Sequence, residues 1–223
     1  MTIRRFAAAC VGFVIICQLG ACAGGLLGGG KRDNLYRFGT SELVEAPSTA
    51  SVGKGTLILE KVRFAPQIDG DRLLAVHDGS ARYIKGSRWV TSAPSLFAQA
   101  LLRTFQLRAP GFRTTIIQSR DLSGYSLSTS IGQFEAQYDD ADMARPPTVR
   151  IEGDASLYAL SDRTIVAQRH FVVTVYAAQN RADDIVIAFD RATGCFTVNL
   201  ADWVTSVTEN RAQSGVPVCP ATP

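Results

Sequence analysis

Histidine is scarce in this sequence: His77 and His170 are the only two among 223 residues. Neither stands in an HExxH pattern or at another metal-ligand spacing, and no Cys-x-x-Cys occurs, so the common zinc motifs are absent. Gly-x-Ser-x-Gly is missing as well, and the serines present have no base in sequence context. The glycine-rich residues 24–30 lack the lysine-serine ending of a phosphate loop. Asp139, Asp140 and Asp142 lack the glycine turn and closing glutamate of an EF-hand, and read as a charged loop. Charge is sparse too, at 19% of residues and a formal net of +3, which offers no broad field for nucleic acid. These absences argue against catalysis, a resident metal and a cofactor.

What is present begins at the N-terminus. Arg4 and Arg5 precede an apolar run over residues 6–17, and then comes Leu19-Gly20-Ala21-Cys22. A basic start, an apolar core and small residues form a secretory signal, and a small-residue site ending on cysteine looks like a lipobox. Cleavage before Cys22 makes residues 1–21 the signal peptide. The Cys22 sulfur then carries a diacylglycerol, and the new amino terminus is acylated, with palmitate expected. The rival reading is an uncleaved span, because residues 6–30 carry no charge. Against it, hydrophobicity fades into Gly, Ala and Cys, and basic residues flank both ends, giving no orientation.

Cleavage leaves 202 of the 223 residues and removes two arginines and no acid, so the net charge falls from +3 to +1. That length is enough for one well-cored domain over residues 34–223. Residues 22–33 form the lipidated cysteine and a glycine-rich tether, with a reach of about 18–20 Å. Cys10 and Cys17 leave with the signal, so Cys195 and Cys219 remain as an even pair in an oxidising compartment. A disulfide between them closes about 25 residues and is worth roughly 3 kcal/mol in the chain-entropy model. The alternative is that Cys195 is a small buried hydrophobe and Cys219 a loose thiol.

Alternating patterns predict strands over residues 35–38, 56–63, 72–76, 81–84, 112–119, 125–138, 148–160 and 165–177. Asp78-Gly79 marks one hairpin and residues 161–164 another, while Gly132 marks a bulge. Residues 85–90 read as a connector. A first helix is expected over residues 92–107, with Pro94 in its first turn. Residues 183–207 carry strand-favouring types and Gly194. Yet Ile185, Phe189, Ala192, Phe196, Leu200, Trp203 and Val207 keep helical spacing over six turns, which outweighs propensity. Trp89 and Trp203, beside or on these stripes, are expected in the core. The expected fold is an α/β (α+β) sandwich, a mainly antiparallel sheet with two principal helices on one face.

The order of motifs carries a resemblance. A strand of the form Leu-x-Leu-x-x-Val (Leu57, Leu59, Val62) precedes Pro66 and an Asp-Gly-Asp-Arg-Leu turn. A hairpin ending in Arg82-Tyr83, then Ser87-Arg88-Trp89, a proline and an amphipathic helix follow, with Tyr36-Arg37-Phe38 upstream. Later come a long strand containing Phe134, a hairpin, and a helix with Ala188, Phe189 and Ala192 ending in Trp203. Taken together, the chain resembles the ABC-type transport auxiliary lipoprotein family, whose members include the lipoprotein of paraquat-inducible, mammalian-cell-entry (MCE) type lipid transport. His77-Asp78 stands where members often carry Tyr-Arg, and Gly194-Cys195 interrupts the last helix pattern.

The resemblance implies a non-enzymatic role beside an ABC ATPase, a permease and an MCE-domain periplasmic protein. The implied task is to dock the periplasmic assembly to the outer membrane for lipid transport between membranes. Ala23, rather than aspartate, after the cysteine favours the outer membrane over the inner. It makes Tyr36, Pro66, Tyr83, Arg88, Trp89, Phe134, Phe189 and Trp203 structural motif residues. Two alternatives from other classes are a lipid-binding carrier and a pilotin-like or lipopolysaccharide-assembly lipoprotein.

Overall fold

The computed structural model describes residues 32–40, 53, 55–117, 123–139 and 143–209. The chain divides into Met1–Arg32 and Asp33–Pro223, and the described elements lie in the second unit. Cys22, Cys219 and most of the acidic loop (Asp140, Asp142) fall outside the described residues.

The sheet is organised on one long strand, β7 (Gly124–Gln137). Along one edge β7 pairs antiparallel with β8 (Thr148–Ala159), which pairs antiparallel with β9 (Ile165–Tyr176). Along its other edge three short strands follow one another in chain order, all parallel to it: β2 (Thr56–Leu59), β3 (Arg63–Phe64) and β4 (Arg72–His77). A 3-10 turn at Pro66–Ile68 takes up the slack between β3 and β4. Beyond β2 lies β6 (Arg113–Thr115), parallel to it. Beyond β4 lies β5 (Ser80–Trp89), antiparallel, and then β1 (Asn34–Tyr36), parallel to β5.

The sheet is therefore mixed, which corrects the mainly antiparallel expectation while the α+β class stands. The reason is topological. Each of β2, β3 and β4 reaches β7 only after the chain has crossed through a helix, and a parallel pair needs such a crossover. Alternation along one strand carries no trace of a partner's direction. Four element boundaries also move. Residues 85–90 belong to β5 as far as Trp89, the strand expected over 56–63 breaks in two, the one at 112–119 shrinks to Arg113–Thr115, and that at 35–38 ends at Tyr36.

Local chemistry explains the turns. Asp78 and Gly79 both take positive φ, at 45° and 73°, as a type I′ hairpin turn requires. The β7 ladder shifts register between Ile131 and Gln133, the bulge expected at Gly132. In the β8–β9 turn, the Asp162 carboxylate accepts from the Thr164 N–H and hydroxyl at 3.0 and 2.8 Å. Those contacts hold its carboxyl below the usual range.

Two helices complete the domain. α1 (Ala93–Arg108) follows Ser92, and α2 (Ala182–Thr208) runs unbroken through Gly194 and Cys195. Their buried faces share one core with the sheet. The helix periodicity read from residues 183–207 thus describes α2 to within a residue at each end. Asp183 and Asp184 sit in its first turn, where the helix dipole favours negative charge.

Candidate functional site

The motif residues gather into two groups around β1 and β5. On the core side, Trp89 meets Phe38 at 4.8 Å and Phe189 at 5.4 Å between ring centroids. Phe134, from the middle of the sheet, meets Phe38 at 5.1 Å and Phe189 at 4.8 Å. Phe64 extends the cluster to Phe97, and Phe97 to Phe196 on α2. Phe171 of β9 then joins Phe196 to Trp203. Aromatics more than one hundred positions apart in the chain thus form one continuous buried path, mostly edge-to-face, the geometry ring quadrupoles prefer.

The other group latches the start of the domain. The Tyr36 hydroxyl donates to Asp183 Oδ1 at 2.8 Å, tying β1 to the first turn of α2. Burial, then the Asp183 carboxylate, raise the Tyr36 phenol above its ordinary range. Further on, the Thr40 N–H donates to Asp190 at 2.8 Å. Arg88 holds two carboxylates at once: Nε donates to Asp33, and NH1 donates to both oxygens of Asp71 at 3.0 Å. Its guanidinium pKa is raised by the hydrogen bond to Asp33 and then by Asp71. The Tyr83 hydroxyl donates to the Gln67 carbonyl at 3.1 Å, beside Pro66 in the 3-10 turn. Its ring lies 5.0 Å from the Arg72 guanidinium carbon.

Cys195 lies buried on α2. The expected partner, Cys219, is outside the described residues, as is the lipidation candidate Cys22.

A polar network on the solvent side of the sheet escaped sequence reasoning. Arg150 Nε donates to Gln133 at 2.7 Å and to Glu152 at 3.0 Å. Glu152 Oε1 stands 3.2 Å from His170 Nε2, and Asp154 Oδ1 stands 2.8 Å from His170 Nδ1. A neutral imidazole carries one N–H, so both carboxylates receive a donor only when the ring is protonated. The Asp154 hydrogen bond first, then the two negative charges, accordingly raise the His170 pKa. This network borders an open depression of about 310 Å³ between β8 and β9. Its only sequence signal was the turn at 161–164, which pairs β8 with β9 and so faces Asp154 to His170. His77 sits 3.7 Å from Asp78. Among the described residues, no group of three His, Cys, Asp or Glu side chains could hold a metal ion, and no helix is long and apolar enough to cross a membrane.

An α+β domain with an aromatic spine, latched at its N-terminal strand by Tyr36 and Arg88, is the class the geometry defines. The chain belongs to the ABC-type transport auxiliary lipoprotein component family, whose model matches residues 36–201. The fold is similar to the crystal structure of protein XCC0632 from Xanthomonas campestris, of family DUF330. That likeness has 22% identity and a TM-score of 0.68, and covers 79% of this chain and 97% of that one. A second solved structure, of an uncharacterised protein, aligns with a TM-score of 0.61 at 14% identity, over 78% of this chain and 99% of its own. Among curated proteins, none matches this sequence.

Proposed function

We propose that this protein is a lipid-anchored periplasmic auxiliary component of an ABC/MCE-type transporter, docking the periplasmic assembly to the outer membrane for lipid transport between membranes. The carrying observation is the family match over residues 36–201, which begins 14 residues after the candidate lipidation site Cys22. So short a tether, reaching about 18–20 Å, keeps the domain at the membrane, and a long partner must come to it. Two or three acyl chains anchor firmly where one would not, at about 0.8 kcal/mol per buried methylene. The partners are an MCE-domain protein and, through it, the permease and ATPase, and the role is non-catalytic. The aromatic path lies between sheet and helices, and among the described residues no observation favours the acyl-carrier alternative.

Pull-down of the full-length protein from mild detergent should recover an MCE-domain protein. Recovery of no transporter component sinks the docking role, and recovery of a β-barrel or secretin instead supports the assembly-factor alternative. The Cys195–Cys219 disulfide belongs to the same proposal, because export to an oxidising compartment lets it form.

A further inference from the structure

The solvent side of β1, β5 and β4 carries a surface that the family match does not explain. Trp89 is buried to 1% exposure, so its neighbour Arg88 points to the opposite side of the sheet. The register places Leu35 of β1 and Arg72 of β4 beside Arg88, on that same side. Tyr83 joins them under the Arg72 guanidinium, and exposed Lys85, two residues on, shares its side, because the β5 register slips between Tyr83 and Arg88 around Gly86, whose φ is 71°. Leu35 is 65% exposed, Tyr83 44% and Val90 43%. The Val90 N–H donates to the Tyr36 carbonyl at 2.8 Å, which continues the ladder past Trp89.

Charge on this surface is divided. Asp33 and Asp71 are both taken up by Arg88. Arg37 lies between core-side Tyr36 and buried Phe38 and so turns to the side of Leu35. Arg37, Arg72 and Lys85 are exposed and form no ion pair among the described residues. Uncompensated cations set among an exposed leucine, valine and tyrosine are what a lipid headgroup layer accepts: charge for the phosphates, apolar and aromatic groups for the boundary beneath. The surface also adjoins Asp33, where the tether ends, about 18–20 Å of chain from Cys22.

We infer that the face bearing Leu35, Arg37, Arg72, Tyr83, Lys85 and Val90 lies against an anionic lipid surface, as a second membrane contact beside the N-terminal lipid. The inference rests on the anchored reading above and deepens it, because it orients the domain. The face holding Arg88, Arg72 and Tyr83 turns to the membrane, and the far end of β7 and the helices turn away from it. Each surface cation adds about fivefold to membrane affinity.

The test uses the full-length lipidated protein in vesicles of phosphatidylcholine alone, in the same lipid mixed with phosphatidylglycerol, and in detergent. An amine-reactive label is read by mass spectrometry at Lys85, with exposed Lys61 as internal reference. Lys85 labelling should fall several-fold on the anionic vesicles only, return in high salt, and return in Arg37→Gln/Arg72→Gln, while Lys61 stays constant. Equal labelling in all three environments overturns the inference. Protection equal on both vesicle types, or appearing only when a periplasmic partner protein is added, overturns it as well. A chain that fails to float with any vesicle defeats the anchor instead, so the two failures are distinguishable.

Discussion

Phe134 packs against Phe38, Phe64, Trp89 and Phe189, and so joins the N-terminal segment, β3, β5 and α2 through one side chain. Phe134→Ala should cost about 3–5 kcal/mol, since the lost contacts come with a cavity its rigid neighbours cannot close. Denaturant unfolding measures this, and a loss under about 1 kcal/mol would mean the surroundings collapse freely. His170 faces the Glu152 and Asp154 carboxylates, so its titration is coupled to folding. Its folded pKa is raised, so its favourable contribution is fully present below the unfolded value near 6.5 and is lost as pH rises through the folded value. Histidine NMR should give a His170 midpoint above 6.5, and His170→Gln should flatten that part of the stability–pH curve. A midpoint at or below 6.5 would show that the two carboxylates do not hold the ring.

At the scale of elements, the helices are tied by more than apolar packing. Arg108 near the end of α1 donates Nε to Asp202 Oδ1 at 3.0 Å and NH2 to Oδ2 at 2.9 Å, a bidentate pair with α2. Thr104 donates to Thr197 at 2.9 Å on the buried seam one turn earlier. Arg108→Met keeps the aliphatic stem but removes the fork, and should cost about 1.5–3 kcal/mol by thermal unfolding. Restoring most of that loss with Arg108→Lys would show that bidentate geometry is unimportant. At the head of β7, Gly124 has φ of +124°, and a Cβ there would stand 2.0 Å from the Thr56 carbonyl oxygen. Gly124→Ala should therefore separate β2 from β7 or leave the protein insoluble, visible as lost expression of folded protein.

On the scale of the whole molecule, anchoring and disulfide formation are read chemically. Cys22→Ala should abolish incorporation of labelled fatty acid and release the protein from membranes, whereas unchanged labelling refutes the lipobox. Thiol counting on the mature, non-reduced protein should find none free if Cys195 and Cys219 are joined. Much of the fold was legible beforehand. The stripe from Ile185 to Val207 announced α2 against its own strand propensities, and the turn at residues 161–164 announced the β8–β9 hairpin. Sheet order was not legible, because β2, β3 and β4 find β7 through contacts that no local pattern encodes. The His170 network was hidden for the same reason, since its carboxylates become neighbours only once β8 and β9 are in register.

What the sequence by itself determined are the properties written in neighbouring residues: the basic-then-apolar start that ends on Cys22, the period of each helix and strand, and the turns. Each of these depends on side-chain spacing along the backbone, which is covalent and needs no partner. Tertiary structure alone decided the mixed sheet around β7, the aromatic path from Phe38 to Trp203, and the shared face of Leu35, Arg72 and Tyr83. These arise when residues far apart in the chain are brought within a few ångströms, and only the packed core selects which of them meet.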